Sequence, residues 1–383
     1  MRKFLPEAIV LCAIVIAVSY GFAQTWTQTS ANTYGASIAL SADGKTVMSV
    51  GSDQPVISTN WGVTWTAFAP SLYFGDIASS ADGTKLIAVR GFNDDCIYVS
   101  IDSGNSWMPT GSPIQRWASC TSSTDGTKLA AAARNGFIYT STDSGTTWQT
   151  NNSPTNSWQS LASSADGAKL AAAANGGKIY TSTNSGLTWA ATSAPSNSWI
   201  SIASSIDGSQ LLAGSAAGTY FSTNSGYSWK SNFMGQYINQ SVALSADGGK
   251  WIVCHYDSLH HGHIYTSTNS GINWITNNVP DKWWASVASS ADGLELLAGA
   301  IDHGIWIYQA TPSPQLKLAP LDTNLALSWL VPSTNFALQQ SLDLTTTDWV
   351  TLTNTPTLNL TNLNNELILS PTNSSGFFRL IAQ

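Results

Sequence analysis

Charged residues are scarce in this sequence, and positive charge is scarcer than negative. Only 10% of the 383 residues are Asp, Glu, Lys or Arg, and the formal net charge is −7. Nucleic acid binding requires a basic face for the phosphates, which a chain with so few lysines and arginines does not provide. We therefore expect no nucleic acid among its partners.

Cysteine is also rare, and its number excludes a complete set of disulfides. Four cysteines are present, and one of them, Cys12, lies in an apolar N-terminal run. The other three cannot all be paired within one chain. We interpret Cys96, Cys120 and Cys254 as small buried strand residues, with a Cys96–Cys120 bridge as the alternative.

Long apolar runs are absent after the first 23 residues. A basic N-terminus precedes the apolar run Ala8 to Val18, and Gly21 and Ala23 supply the small residues that a signal peptidase requires. This run is shorter than the roughly 20 residues that span a bilayer. We predict that residues 1–23 are a signal peptide cleaved before Gln24, with an uncleaved anchor as the alternative. The mature chain would then have no membrane span and would be secreted, periplasmic or attached to the cell surface.

A short pattern, Ser-x-Asp-Gly, divides most of the remaining chain into seven units. Its copies are 39, 43, 41, 41, 40 and 45 residues apart, and their glycines are Gly44, Gly83, Gly126, Gly167, Gly208, Gly248 and Gly293. A second pattern, Ser-x-(Asp/Asn)-x-Gly-x-(Thr/Ser/Asn)-Trp, which we call the box motif, occurs six times and ends at Trp65, Trp107, Trp148, Trp189, Trp229 and Trp274. Each unit holds four short alternating segments, labelled a to d below. This period is typical of β-propeller blades.

The box motifs resemble the Asp-box (BNR) repeats of sialidases, of sortilin-type receptors, of a photosystem II assembly factor and of seven-bladed endoglucanases that act on xyloglucan. The resemblance extends from about Trp26 to Tyr308. It implies a seven-bladed β-propeller in which the a–b and c–d turns share one face, while ligands usually meet the face formed by the d–a and b–c loops. It does not decide the function, because enzymes, receptors and assembly factors share such repeats.

The two ends of the repeat region complement each other. The seventh unit lacks a box motif and a d strand, whereas Thr25 to Ala31 matches the d-strand segment Thr188 to Ala194 but has no unit of its own. We predict that this N-terminal strand closes the last blade, because closure removes an exposed sheet edge. The expected all-β chain is a propeller over residues 24–310, a linker over 311–316, and a small antiparallel β-sandwich over 317–383, loosely similar to fibronectin-III-like modules.

Residues that could carry catalysis are few. The resemblance implies that a sialidase would need three converging arginines and a Tyr–Glu pair, but the repeats contain only Arg90, Arg116 and Arg134, all in the second and third units, and one glutamate, Glu295. A glycosidase needs two carboxyl groups about 5–10 Å apart. The aspartates outside the repeated motifs keep a polysaccharide-active hydrolase open as the alternative function: Asp53, Asp76, Asp94, Asp95, Asp257, Asp281 and Asp302. We assign no catalytic residue and no cofactor.

Large aromatic residues recur at one position of the repeat. Nine residues before the Ser-x-Asp-Gly glycine, five units have an aromatic residue: Phe74, Trp117, Trp158, Trp199 and Trp284. Two interpretations stay open, packing between blades and a stacking platform for sugar rings or a peptide. In the second, Arg116 would supply hydrogen bonds beside the platform. We expect an exported, monomeric, non-catalytic recognition or scaffold protein that binds a glycan or a protein.

Histidine is confined to the sixth and seventh units, where four of the five cluster around one extended b–c hairpin. Imidazole and carboxylate groups are ligands of divalent transition ions. His260, His261 and His263, with Asp257, are therefore candidate metal ligands. The alternative is that they are polar residues of an exposed loop.

Overall fold

The computed structural model describes residues 26–31, 33–68, 72–91, 94–150, 152–232, 238–256, 262–302, 304–309, 316–321, 324–330, 336–341, 349–354, 356–359, 364–369 and 377–382. Over these ranges the chain forms 35 strands and no helix, so the prediction of an all-β chain is confirmed. It follows that these ranges contain no helix long and apolar enough to cross a membrane. The chain divides into two compact units, one over Gln24–Ala310 and one that includes Thr311–Gln383.

The first unit contains β1 (Trp26–Gln28) and seven repeats, with strands in the order a to d in repeats 1 to 6 and a to c in repeat 7. In repeats 1 to 3 they are β2 (Ser37–Leu40), β3 (Val47–Val50), β4 (Val56–Ser58), β5 (Thr66–Ala67), β6 (Asp76–Ser79), β7 (Leu86–Val89), β8 (Ile97–Ser100), β9 (Met108–Pro109), β10 (Trp117–Ser122), β11 (Leu129–Gly136), β12 (Ile138–Ser141) and β13 (Gln149–Thr150). In repeats 4 to 7 they are β14 (Asn156–Ser163), β15 (Leu170–Gly177), β16 (Ile179–Ser182), β17 (Ala190–Ala191), β18 (Asn197–Ser204), β19 (Leu211–Ser215), β20 (Gly218–Ser222), β21 (Lys230–Asn232), β22 (Ile238–Leu244), β23 (Trp251–Tyr256), β24 (Gly262–Ser267), β25 (Ile275–Thr276), β26 (Trp284–Ser289), β27 (Glu295–Ala300) and β28 (Ile305–Gln309).

Each Ser-x-Asp-Gly motif forms the tight turn between strands a and b. In repeat 4 the Ser164 hydroxyl donates to Oδ1 of Asp166 at 2.6 Å, and the Ala168 N–H donates to the same oxygen at 2.9 Å. Gly167 has a φ of 64°, a left-handed conformation that glycine adopts without steric cost. These two hydrogen bonds lower the pKa of Asp166, the one from Ser164 most. The same Ser–Asp bond is present in all seven repeats.

The box motif forms the turn between strands c and d. In repeat 4 the Ser182 hydroxyl accepts the Gly186 N–H at 2.9 Å, and the Asn184 side chain accepts the Thr188 N–H at 2.9 Å. Polar side chains therefore satisfy main-chain amides of the turn.

Main-chain hydrogen bonds join each repeat to the next at the a–b turns. The residue between Ser and Asp of each motif donates its N–H to the carbonyl of the same residue in the following repeat, at 2.7 to 3.0 Å. The series runs through Ala42, Ala81, Thr124, Ala165, Ile206, Ala246 and Ala291, and the last of these donates back to Ala42. The seven bonds thus form a closed circuit.

A second series of hydrogen bonds links the inner strands. The residue seven positions before the motif's glycine is serine in six repeats and Asp76 in repeat 2. Five of these serine hydroxyls accept a main-chain N–H from the next repeat, as Ser119 does from Leu161 at 3.1 Å and Ser286 from Ile38 at 3.1 Å. The sixth, Ser37, instead donates its hydroxyl to Asp76. The polar inner strands therefore contribute to the contact between repeats.

The N-terminal strand lies in the sheet of the last repeat. Strand β1 pairs antiparallel with β28, and the order in this sheet is β1-β28-β27-β26. The Trp26 indole N–H also donates to the side chain of Asn277 in repeat 6 at 3.1 Å. Repeats 3, 4 and 5 are further joined because β11 pairs with β14 and β15 pairs with β18.

The second compact unit consists of two antiparallel sheets that share one core. Its strands are β29 (Lys317–Leu321), β30 (Asn324–Leu330), β31 (Phe336–Ser341), β32 (Val350–Thr351), β33 (Thr357–Asn359), β34 (Asn364–Leu369) and β35 (Phe377–Ala382). The sheets have the orders β29-β30-β34-β33 and β32-β31-β35. Leu327 and Trp329 of the first sheet pack in one cluster with Leu338 and Phe378 of the second.

Candidate functional site

The five aromatic residues predicted as a possible stacking platform are core residues. Phe74, Trp117, Trp158, Trp199 and Trp284 each have 0% of their surface exposed. A ligand that stacks on an aromatic ring needs an accessible ring face. The platform interpretation is therefore wrong for these residues, and the alternative of packing between repeats agrees with their burial.

The four tryptophans at this position pack against the preceding repeat. The Trp158 indole N–H donates to the carbonyl of Gly136 in the preceding repeat at 3.0 Å, and its ring meets Tyr180 edge-on at 5.4 Å. It packs in one apolar cluster with Ile138 of repeat 3 and Leu161 of its own repeat. Position and periodicity could not separate packing from binding, because either role is compatible with a large aromatic residue at the same position of five repeats.

Arg116 is the one predicted ligand-binding residue of this set that is exposed. Its Nε donates to the carbonyl of Gly91 at 3.4 Å, a long hydrogen bond. The guanidinium therefore lies at the boundary between repeats 2 and 3, beside the buried Trp117. Arg116 stays a candidate for ligand binding.

The predicted metal ligands fall largely outside the described part of the chain, which leaves out Asp257, His260 and His261. His263 is described and half-buried, and its ring centroid lies 5.4 Å from that of His255 on the paired strand β23. Among the described residues, no group of three or more His, Cys, Asp or Glu side chains is arranged to hold a metal ion. The metal site stays a prediction about the b–c hairpin of repeat 6.

The described cysteines are free thiols, as the preferred interpretation expected. Cys96, Cys120 and Cys254 are buried and unpaired with one another. The alternative of a Cys96–Cys120 bridge is therefore wrong. Burial raises the pKa of the Cys254 thiol to about 12, so this group is unreactive near neutral pH.

Most aspartates proposed for hydrolysis have structural partners. Asp95 pairs with Arg90 at 2.6 Å, Asp302 pairs with Lys282 at 2.9 Å, and Asp281 accepts the Gly262 N–H at 2.8 Å. Asp53 accepts the Tyr34 N–H at 3.2 Å. These contacts stabilise loops and hairpins, and they do not by themselves position two carboxyl groups across a substrate.

Asp76 belongs to the series of hydrogen bonds between inner strands. Its carboxylate accepts the Ser37 hydroxyl at 2.7 Å and the Cys120 N–H at 2.8 Å, and therefore bridges repeats 1 and 3. Burial raises its pKa, although these hydrogen bonds oppose the shift. Asp76 takes the place that serine has in the other repeats, which indicates a structural role.

An acidic cluster that was not among the sequence predictions lies where repeat 7 meets repeat 1. Glu295 is 3% exposed, and its carboxylate fills the space that a Cβ on Gly44 would need. Burial, and then the charges of Asp292 and Asp43, raise the pKa of Glu295 to about 8. Burial also raises the pKa of Asp292 to about 7. Raised carboxyl pKa values often mark active sites, but Glu295 lacks the exposure that contact with a substrate requires.

The signal for this cluster is present in the repeat alignment. Two residues after the motif's glycine, repeats 2, 3, 4 and 6 have Lys and repeat 5 has Gln210. These side chains reach the turn of the next repeat, where Lys169 donates to the Asp207 carbonyl at 2.8 Å and Gln210 to the Asp247 carbonyl at 2.9 Å. Glu295 places an acceptor where its counterparts place a donor.

An open groove lies between repeats 3 and 4. It has a volume of about 700 Å³ and is lined by Phe137, Thr150, Asn152, Ser153, Pro154, Tyr180 and Trp189. Phe137 belongs to the b–c turn of repeat 3, Thr150 to its d strand, and residues 152–154 to its d–a loop. The groove therefore involves the loops for which ligand binding was predicted, although its residues were not among the predicted ones.

Comparisons with known proteins bear on the fold. No family model matches this chain, and no curated protein matches it in sequence. Among solved structures, the GH74 xyloglucanase from Xanthomonas campestris has a TM-score of 0.60 and 12% identity over 80% of this chain and 59% of that one.

A YCF48 bound to D1 peptide has a TM-score of 0.58 and 16% identity, over 78% of this chain and 100% of that chain. YCF48 from Cyanidioschyzon merolae has a TM-score of 0.58 and 15% identity, over 75% of this chain and 98% of that chain. This chain thus spans less than two thirds of the xyloglucanase and nearly all of the YCF48 chains. At these identities the likeness concerns the fold alone. The repeat region of this chain is a β-propeller.

Proposed function

We propose that this chain is an exported, non-catalytic recognition or scaffold protein that binds a glycan or a protein through the d–a and b–c loops of its propeller. One observation carries the proposal. Apart from Asp94, the described aspartates of the repeats accept hydrogen bonds within turns, between repeats or in ion pairs. The d–a and b–c loops, by contrast, border an open, uncharged groove. A recognition surface needs such a groove and needs no pair of free carboxyl groups.

We further infer a seven-bladed Asp-box propeller that β1 closes. The circuit of seven main-chain hydrogen bonds and the pairing of β1 with β28 support this inference. For the C-terminal module we infer a fibronectin-III-like sandwich that links the propeller to a surface or a partner. Its two sheets around a common core support that assignment. Export by the N-terminal segment rests on its basic start and short apolar run.

The structural neighbours include both classes of function. One is named as a xyloglucanase and another as bound to a peptide. A shared propeller fold is compatible with either role, because function depends on the site that each chain builds on the fold. The partners of the carboxylates in this chain favour binding over hydrolysis.

Product analysis tests this proposal directly. The purified protein without residues 1–23 is incubated with xyloglucan, mixed-linkage β-glucan and xylan, and new reducing ends are measured. We expect no release above a buffer control. Asp94→Asn is the informative variant, because Asp94 is an exposed carboxylate with no assigned structural role. Release that this variant abolishes would show that the chain is a hydrolase.

A further inference from the structure

The groove between repeats 3 and 4 has the chemistry of a carbohydrate site. We propose that it binds a short neutral oligosaccharide, an inference that rests on the proposed recognition function and names its site and ligand class. The groove is wide and open to solvent, with a volume of about 700 Å³, so a ligand would lie along it with one side exposed. A short run of sugar units is a ligand of that size.

Aromatic side chains provide the apolar part of the groove. Phe137 is 40% exposed, and the rings of Tyr180 and Trp189 are half-buried in its wall. Sugar rings present a face of C–H groups, which packs favourably against an aromatic ring. Tyr180 is held in place because its ring contacts the buried Trp158 at a centroid distance of 5.4 Å. Three aromatic side chains from separate segments therefore converge on one opening.

Uncharged polar groups provide the rest of the lining. The side chains of Thr150 and Asn152 are exposed at the groove and offer a hydroxyl and an amide to sugar hydroxyls. None of the lining residues is charged, so the groove has no group that would select a carboxylate, sulfate or phosphate. This set of side chains suits a neutral sugar better than an acidic one.

The groove is preformed by hydrogen bonds on both sides. Gly136, next to Phe137, pairs with Asn156 of the following repeat, and its carbonyl accepts the Trp158 indole N–H at 3.0 Å. Ser153 accepts the N–H of Ile138 at 2.8 Å, which fixes the d–a loop against strand c. A rigid site loses little entropy on binding.

Two exposed residues of the groove differ from their equivalents in the neighbouring repeats. At the position of Phe137 the neighbouring repeats have Cys96 and Lys178, and at the position of Asn152 they have Gly111 and Ser193. Tyr180 and Trp189 have equivalents in other repeats and pack partly against the core, so they serve the fold as well as lining the groove. Phe137 has no Phe, Tyr or Trp at the equivalent position of any other repeat, and it is accessible, so the fold does not account for it.

A peptide is a weaker candidate for this groove. Peptides that extend a sheet need a long free strand edge, and the adjoining edge strand β13 has two residues. A proline-rich peptide could use the aromatic side chains without a strand edge. It is therefore included as a probe in the experiment.

The experiment compares two variants with the unaltered protein, all without residues 1–23. Each is applied to a printed array of neutral and acidic glycans and to a proline-rich peptide, and affinities for the neutral glycans that bind are measured by calorimetry. The double variant Phe137→Ala/Asn152→Ala removes two exposed side chains that line the groove. Lys178→Ala is the matched control, because Lys178 occupies the place of Phe137 in the next repeat and is exposed.

We expect the unaltered protein to bind a neutral oligosaccharide with a Kd of about 1 mM or lower. The groove variant should bind about tenfold more weakly or not at all, at an unchanged melting temperature, while the control keeps its affinity. Loss of binding in the control variant alone, or equal binding by all three proteins, would place the site elsewhere. Binding of acidic glycans alone, or of the peptide alone, would overturn the proposed ligand class, a neutral oligosaccharide. Neither result would by itself indicate catalysis. An array with no bound glycan would overturn the inference and leave a protein partner as the proposed function.

Discussion

Glu295 makes the stability of the repeat 7–repeat 1 junction depend on pH, and Glu295→Gln should remove that dependence. Oε1 of Glu295 is buried and has no hydrogen-bond partner among the described residues. A glutamine at position 295 should find a hydrogen-bond acceptor, because Gln210 at the equivalent position of repeat 5 donates to the carbonyl of Asp247 at 2.9 Å. The variant should form the same bond to the turn of repeat 1, worth about 1 kcal/mol.

The size of the effect follows from the pKa of Glu295. Folding raises this pKa from 4.5 to about 8, so the native state holds the proton more tightly than the unfolded state does. The free energy of unfolding therefore falls as pH rises between these two values, by about 1.4 kcal/mol per pH unit. From pH 5 to pH 7, the difference in the free energy of unfolding between the variant and the unaltered protein should grow by about 3 kcal/mol in favour of the variant. Asp292 retains its own pH dependence in both proteins.

Urea unfolding followed by tryptophan fluorescence at pH 5, 6, 7 and 8 measures this difference. The reciprocal variant, Gln210→Glu, should be destabilised because it replaces a donor with a carboxylate facing the Asp247 carbonyl. The reasoning would be refuted if Glu295→Gln were offset from the unaltered protein by the same amount at every pH. It would also be refuted if Glu295→Gln were the less stable protein at pH 8.

Three further predictions concern the fold. Trp158→Ala should lower the free energy of unfolding by about 3–5 kcal/mol in urea titrations, whereas an unchanged stability would contradict its 0% exposure. Deletion of residues 24–30 should lower the melting temperature by about 6 °C or more, because it removes β1 and the buried Trp26; an unchanged melt would show that β1 is dispensable. Asp166→Ala should cost about 1–2 kcal/mol, since the turn loses its bonds to Ser164 and Ala168, and calorimetry that finds no cost would contradict this role.

The repeats made much of the fold predictable. Asp and Gly in every Ser-x-Asp-Gly motif indicated a tight turn, and Asp166 and Gly167 form one. The unmatched segment at the N-terminus indicated a strand for the last repeat, and β1 pairs with β28. Such features are local, or they depend on counting units along the chain, so a single sequence contains them.

Contacts across repeats were less accessible to sequence analysis. Phe137 and Tyr180 line one groove although 43 positions separate them, and no periodic pattern connects them. The repeated aromatic position of Trp158 and its equivalents was evident from the sequence. The burial of these side chains depends on how neighbouring repeats approach each other. Glu295 differs from its equivalents in the other repeats by its negative charge, but its raised pKa depends on its burial and then on the charges of Asp292 and Asp43.

Hydrogen–deuterium exchange with and without a bound neutral oligosaccharide tests the central claim, that the d–a and b–c loops of the propeller carry recognition. We expect slower exchange in the segments that border the groove, residues 134–138 and 152–157, and unchanged exchange in the a–b turns, such as residues 164–168. Protection confined to the a–b and c–d turns, or found only in residues 317–383, would contradict the account.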